Sequence, residues 1–402
     1  MAGLLPVDEA LRRILANVDL LDSETVTLGE AGGRVLAVDL HAKRQQPPFA
    51  ASAMDGYAVR ADDVANVPVR LKLVGQSAAG HAFQGLLNAG EAVRIFTGAP
   101  VPDGADSVVI QENTTAHGDE VEISETIAFG RNIRKAGLDF NSGDVLLDAG
   151  RQLDSSALAL AASADHPQLS VIRRPRVAIL ATGDELVSPG EPYRPDQIIA
   201  SNSFGLAEIV RNAGGIAIDL GIAEDRLEAL SDALDRAIAA KADILVTLGG
   251  ASVGDHDLVQ PALAAHGMEL DFWKIALRPG KPLMFGHLQD MRILGLPGNP
   301  VSSLICAHIF LTPLIRAFMG LPHAPDLRAA VLGVDMPVND QRQDYIRARI
   351  VTGADGTLTA TPFPLQDSSM LKFLADANGL IIREPHATAL AAGSPCTILM
   401  LR

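Results

Sequence analysis

Apolar residues at Val7, Ala10, Leu11, Ile14 and Leu15 fall on one face of a helix predicted over residues 7–17. TVTLGEAGGRVLAVDLHAK then predicts short strands or a strand–turn unit. Pro47-Pro48 forces an extended approach and removes two backbone donors. From residue 53 to 137 the pattern becomes short β-branched runs, VRLKLVG, AVRIFTG, DSVVIQE and VEISETI, punctuated by Gly, Asp and Pro. These runs predict a small β domain. After NIRKAGLDFNSGDVLLDAGRQL, the Ala-rich SSALALAASA predicts a helix. Between residues 174 and 322 two patterns alternate. RVAIL, IAIDLGI, DILVTLGG, MELDFWKIAL, PLMFG and RILGL are strand-like. SFGLAEIVRNAGG, RLEALSDALDRAIAA, LVQPALAAH and VSSLICAHIFLTPLIRAFMG are helical. Such alternation predicts a doubly wound α/β domain, largely parallel, with helices on both faces and ligands beyond the carboxyl ends of its strands. The loops after residues 181, 248, 277 and 296 are therefore the candidate site. Residues 325–402 return to β.

Composition narrows the class. The chain has 402 residues, 48% hydrophobic and 20% charged, which supports several packed cores and excludes a mainly disordered protein. Aromatics are only 4%, so aliphatic side chains do the packing. Net charge is −15 and the pI about 5.0, a poor match to nucleic acid or an anionic membrane. An anionic ligand therefore requires a local basic cluster. Cys306 and Cys396 show no CxxC or zinc spacing and are expected to be reduced, packed thiols. Charges at Asp8, Glu9, Arg12 and Arg13 interrupt any signal-peptide core, and no eighteen-residue apolar run is free of charge. The expectation is a soluble, cytoplasmic protein.

Each candidate loop admits two readings. TGDEL places Asp184 and Glu185 at a strand end, as metal or hydroxyl ligands or as a polar turn. Ser201, Asn202 and Ser203 suit helix capping or phosphate binding. In GGASVGDHD, Gly249 and Gly250 permit close backbone approach, while Ser252, Asp255 and Asp257 offer oxygens suited to Mg²⁺. A glycine-rich turn capped by Asp257 is the alternative, and the segment is not a Walker loop. Lys274, Arg278 and Lys281, in WKIALRPGKPLMFG, suggest an oxyanion site or a defended strand edge. LPGNPVSSL is a helix start, with Asn299 as N-cap and Pro300 first in the helix, at a strand end where free N–H groups favour an anion. Asp55 in SAMDGYAV and Thr97 in FTGAPVPDGAD are, taken singly, turn residues. In NIRKAGLDF, Arg131, Arg134, Lys135 and Asp139 form a charge cluster.

Taken together, SAMDGYAV, FTGAPVPDGAD, NIRKAGLD, TGDEL, GGASVGDHD, RPGKPLMFG and GLPGNPVSS occur in the order seen in molybdopterin molybdenumtransferases. That family includes the corresponding domains of gephyrin and of plant molybdenum-cofactor enzymes, and the resemblance runs from about residue 5 to the C-terminus. It implies four domains in a homodimeric subunit. These are a discontinuous mixed domain (1–49 with 138–173), a small β domain (50–137), an α/β domain like molybdopterin adenylyltransferase (174–324), and a C-terminal β-barrel (325–402). The implied reaction takes adenylylated molybdopterin and molybdate, uses Mg²⁺, releases AMP and leaves molybdenum on the dithiolene. By position, Asp55, Thr97, Asp139, Glu185, Asp225, Asp257, Lys274 and Arg278 match functional positions, with Glu185, Asp225 and Asp257 as metal ligands. Arg278 departs from the lysine common there. Substrate binding is expected from Thr182, Gly183, Gly249, Gly250, Ser252, Lys281, Pro282, and Pro297 through Gly298, Asn299 and Pro300. Arg347 and Ser369, the latter in QDSSML, complete the set. Transient contact with molybdopterin adenylyltransferase or with downstream cofactor acceptors is also implied. The rival functions are molybdopterin adenylyltransferase and a non-catalytic scaffold.

Overall fold

The computed structural model describes residues 4–250 and 258–401. Two compact units emerge: a larger one, residues 1–24 with 172–402, and a smaller one, residues 25–171.

The larger unit holds helix α1 (Val7–Ile14) and the alternating elements β1 (Arg176–Thr182), α2 (Asn202–Asn212), β2 (Ile216–Ala223), α3 (Leu227–Ala239), β3 (Ile244–Leu248), α4 (Val259–Ala265) and β4 (Glu269–Trp273). Then come β5 (Leu277–Arg278), β6 (Met284–Leu288), β7 (Met291–Leu296) and α5 (Pro300–Cys306). Six strands form one sheet in the order β2-β1-β3-β7-β6-β4. The first four are parallel, and β6 pairs antiparallel with both β7 and β4. The predicted α/β alternation thus produces the expected sheet, with an antiparallel edge. β1 and β3 are apolar nearly throughout because both faces are covered. Leu230, Ala233 and Leu234 of α3 and Val259 and Leu263 of α4 share a core with Ala178, Leu180, Leu245 and Ile293 of the sheet. Outside that core, α2 packs on α5, where Gly205 leaves room for Leu304.

Two departures from the sequence pattern have local causes. MELDFWKIAL predicts one strand, but Lys274 adopts φ 93°, so β4 ends at Trp273. The short β5 that follows pairs instead with a strand of the C-terminal region. The helix after Asn299 widens into a π-turn at Ala307–Leu311 before continuing over Thr312–Phe318. Pro313 lacks the N–H that an α-helix needs and its ring crowds the carbonyl four residues back, so a wider turn relieves the conflict. This helix, Pro300–Phe318, is long and apolar enough to cross a membrane by composition, but 72% of its most apolar window is buried inside the molecule. Its hydropathy is that of a core helix.

The C-terminal strands β8 (Leu327–Leu332), β9 (Gln343–Thr352), β10 (Leu358–Pro362), β11 (Gly379–Arg383) and β12 (Pro395–Met400) close as β9-β10-β8-β12-β11-β9. This is the expected barrel. Leu332, Ile350, Ile381 and Ile398 fill it, with Ala330, Ala348 and Ala360 at the tight positions.

In the smaller unit, the predicted β runs form a six-stranded sheet. Its order is Ser107–Ile110, Gly56–Val59, Glu91–Ile95, Val69–Ser77, Glu120–Ile123, Thr114–His117. The Ala-rich helix forms at Ser155–Ser163, where Asp154 caps it by accepting from the Ala157 N–H at 2.8 Å. Cys306 is buried and Cys396 half-buried, both as free thiols.

Candidate functional site

A cavity of about 820 Å³ lies in the larger unit beyond the carboxyl ends of β1, β3 and β7. Three glycines let the loops after those strands converge. Gly183 has φ 143°, and a Cβ there would strike the Glu185 carboxylate. Gly249 has φ 100°, and its Cβ would sit 2.9 Å from both Thr182 O and Oγ1. Gly298 packs against the same turn, where a Cβ would make an ordinary 3.8 Å contact with Gly249 Cα. A side chain at Gly249 would press on the Thr182 backbone and pry those two loops apart.

Expected residues on the cavity wall are Thr182, Gly183, Glu185, Asp225, Gly249, Gly250, Pro282, Pro297, Gly298, Asn299, Pro300 and Ser369. Ser252, Asp255 and Asp257 lie outside the described residues. Asp225 N–H donates to Asp184 Oδ1 at 3.0 Å. Burial raises the Asp225 carboxyl, and the Asp184 and Glu185 charges push it further. Among the described residues no group of three or more His, Cys, Asp or Glu could by itself hold a metal ion. A site of two carboxylates completed by waters and a phosphate is nonetheless the ordinary arrangement for Mg²⁺. The mutual repulsion at Asp225 is what a dication would relieve, so the donor set fits that ion.

Both helix starts facing the cavity lack the expected side-chain caps. Neither Ser201 nor Asn299 bonds the first turn of its helix. Asn202 instead donates Nδ2–H to Gly298 O at 2.7 Å, tying the start of α2 to the LPGNP loop. At the start of α2 the first-turn N–H groups without side-chain caps are donors an anion can take, whereas at the start of α5 Pro300 has no N–H and Val301 N–H is taken by Ser368 O. The apolar wall was not legible as function: Ile198, Ile199, Leu248 and Leu258 line the cavity but carry no motif, and Leu186 closes TGDEL without a chemical group of its own.

The basic residues separate. Lys274, in its left-handed conformation, stacks its ammonium 5.8 Å from the Trp273 ring centre. Lys281 is exposed beside Pro282, and Gly280 at φ 119° lets the turn lie against Cys306, where an added Cβ would fall 2.5 Å from Sγ. Arg278 is not on this cavity wall. It lines a second cavity of about 570 Å³ and pairs with Asp340 and Asp344.

Arg347 is 1% exposed and turned inward. Its guanidinium donates to Gln366 Oε1 at 3.2 Å, Met370 O at 3.1 Å and Asp367 O at 2.9 Å. It thus holds the QDSSML loop, which also docks through Val301 N–H to Ser368 O at 3.0 Å. Within that loop Ser369 Oγ donates to Asp367 Oδ1 at 2.6 Å, holding the Asp367 carboxyl low and leaving the hydroxyl's lone pairs as acceptors.

In the smaller unit, Asp55 and Thr97 come together. Thr97 donates its N–H at 2.7 Å and its hydroxyl at 2.8 Å to Asp55 Oδ1, and these bonds hold the Asp55 carboxyl below its ordinary value. Asp139 is exposed, its N–H bonded to Gln46 O at 2.9 Å.

Comparison with known proteins matches three family profiles in sequence. They are the MoeA N-terminal region (domain I and II) over residues 5–164, the probable molybdopterin binding domain over 178–317, and the MoeA C-terminal region (domain IV) over 329–401. The molybdopterin molybdenumtransferase of Haemophilus influenzae is 34% identical, covering 98% of both chains. That of Bacillus subtilis is 35% identical over 99% of this chain and 94% of its own. The Nostoc enzyme of the same name is 41% identical over 75% of this chain and 70% of its own. A crystal structure of the Pyrococcus horikoshii molybdopterin biosynthesis MoeA protein superposes with TM-score 0.85 at 29% identity over the whole of both chains. Full-length likeness in sequence and in architecture, with the three family profiles in order along it, means that this chain belongs to the molybdopterin molybdenumtransferase family.

Proposed function

We propose that the protein inserts molybdenum from molybdate into adenylylated molybdopterin, in a Mg²⁺-dependent step that releases AMP. The observation that carries this reading is one cavity lined by Glu185 and Asp225, the uncapped start of α2, the Pro297–Pro300 loop, and the Pro282 and Ser369 segments. Glu185 and Asp225, with Asp257 from outside the described residues, would hold Mg²⁺. The ion would neutralise charge on the phosphoanhydride oxygens as the adenylate is cleaved. The backbone at Thr182–Gly183 and Gly249–Gly250 approaches the ligand closely, and the Pro297–Pro300 loop offers N–H donors to phosphate. The apolar strip of Leu186, Ile198 and Ile199 gives a planar ring system a dry face. Lys274 and Lys281 supply the positive charge a molybdate dianion needs in an acidic chain. Ser369 offers its hydroxyl as an acceptor, and Arg347 serves by holding the loop that carries it. Asp55, Thr97 and Asp139 are assigned functional roles by position. Separate hydrophobic clusters, in residues 31–40 with 153–171, 57–123, 178–293 and 330–398, support the four-domain division. We further propose a cytoplasmic homodimer, which light scattering checks as twice the 42.2 kDa chain mass.

The test is an insertion assay with adenylylated molybdopterin, Mg²⁺ and molybdate. Release of AMP in step with product molybdenum is expected, with no consumption of ATP when free molybdopterin is offered. Glu185→Ala and Asp257→Ala should fold normally and lose AMP release. ATP consumption with free molybdopterin would mark an adenylyltransferase instead, and inertness in both assays a scaffold.

A further inference from the structure

The segment from Lys274 to Pro282 carries all three cations noted in the sequence, and it is gripped from both sides. On one side Leu5 N–H donates to Lys274 O at 3.4 Å and Ala276 N–H to Leu5 O at 2.7 Å. On the other, β5 pairs in parallel with β9 of the barrel, Leu277 opposite Gln343 and Arg278 opposite Asp344. Gln343 N–H closes this contact on Ala276 O at 2.8 Å. The turn closes on itself through Ile275 N–H to Lys281 O at 3.0 Å and Lys274 N–H to Leu283 O at 3.1 Å.

Arg278 adds side-chain bonds to that backbone contact. Nη1 donates to Asp340 Oδ2 at 2.9 Å, while Nη2 donates to Asn339 Oδ1 at 3.1 Å and to Asp344 Oδ2. Asp340 is itself held by Arg342, N–H to Oδ1 at 2.8 Å and Nη2 to Oδ2 at 3.1 Å. Asn339 is fixed by donating to the carbonyls of Arg342, Arg383 and Glu384. The acceptors are therefore a prebuilt receptor on the barrel, not mobile surface carboxylates. Asp344 is the buried member, its side chain 6% exposed against 43% for Arg278. Among the described residues its Oδ1 has no partner, and Arg278 bonds its Oδ2. A planar fork can serve three acceptors at once, whereas an ammonium cannot match that geometry.

We propose that Arg278 and Asp344 form a positioning pair: the guanidinium is committed to the barrel and fixes the turn that presents Lys281 and Pro282, and it does not itself meet the anion. The inference rests on the reading of this site as a molybdate-using one. It assigns the barrel a part in the reaction, as the platform on which the basic turn is set.

The test measures the molybdate concentration giving half-maximal insertion, and kcat, for wild type, Arg278→Ala, Asp344→Asn, Arg278→Lys and the double variant Arg278→Ala/Asp344→Asn. Displacement of the turn should raise half-saturating molybdate by about ten- to a hundred-fold in Arg278→Ala, with adenylylated molybdopterin affinity within about two-fold of wild type. Asp344→Asn should move it in the same direction. The double variant should be no worse than Arg278→Ala, because both changes break one contact. Arg278→Lys should restore only part of the loss. If Arg278 met the anion directly, Asp344→Asn would free the guanidinium and lower half-saturating molybdate, and the effects of the pair would multiply; that outcome overturns the proposal. A fall in kcat with unchanged molybdate dependence in both single variants also overturns it, since it reports only a smaller folded fraction. A wild-type protein that inserts no molybdenum refutes the assigned function instead, a result separate from either.

Discussion

Asp225 meets two like charges at the end of a strand. Its carboxyl stands above the ordinary 3.8 because burial disfavours the anion and Asp184 and Glu185 repel it. A raised folded-state value means that ionisation costs stability. The cost is absent well below 3.8, where the carboxyl is protonated folded or unfolded, and is complete once pH exceeds the raised value. In metal-free protein at neutral pH, Asp225→Asn should therefore raise the thermal midpoint slightly. Solvent screening limits the gain to roughly half a kcal/mol. The gain should vanish towards pH 3.5, and Mg²⁺ should raise the midpoint of wild type more than that of the variant. Scanning calorimetry at both pH values, with and without Mg²⁺, checks this; a variant less stable than wild type at neutral pH without metal contradicts it. Glu185 was legible in sequence because it follows a strand-like run, and strand ends are where such sheets bind ligands; Asp225 came from the family resemblance alone. Arg278 was legible as a cation but not as a paired one. Its partner Asp344 lies 66 positions further on, and only barrel closure brings the two together.

At the scale of elements, local pattern decided most of the fold. Continuous apolar runs gave the parallel strands, 3.6-residue periodicity gave α3, and Asp154 set a helix start. What escaped were features fixed by distant partners. β5 is two residues long and exists only because β9 offers it an edge. The 365–370 loop is another: no residue in it predicts order, yet a buried guanidinium organises it. Arg347 bonds Gln366, Met370 and Asp367, while Gln366 returns Nε2–H to Arg347 O at 3.0 Å and to Phe363 O at 2.9 Å. Hydrogen bonds from a charged donor contribute about 1.5–3 kcal/mol each, and acceptors left buried cost more. Arg347→Lys should therefore lose about 2–4 kcal/mol of stability in urea titration. It should also raise half-saturating molybdate, because Ser369 is displaced. Unchanged stability would mean that the loop is held from elsewhere.

Across the whole molecule, sequence order and folding unit do not coincide. The larger unit takes its first residues from the N-terminus and the rest from beyond residue 171, so residues 25–171 are in effect an insertion. Nothing in local pattern announces this, because the pairing of Ser23–Thr27 with Gln168–Ile172 is a contact across the full length of the insertion. The insertion nevertheless carries its own cores. One cluster gathers Leu36, Leu40, Leu153, Leu169 and Val171 around Ala157 and Ala161. Two more fill the β region, one around Tyr57, Leu71 and Ile123, the other around Leu87, Val93 and Ile95. Each is built from residues of the insertion alone. A chain of this size with closed cores has enough buried apolar surface to fold cooperatively. A fragment of residues 23–172 keeps both strands of the closing ribbon intact and should fold by itself, with a single sigmoidal urea transition of roughly 5–15 kcal/mol. Dispersed amide resonances and protection of the Asp55–Thr97 hydrogen bond from exchange should accompany it. A fragment that binds hydrophobic dye and melts without cooperativity would show that these clusters depend on the remainder of the chain.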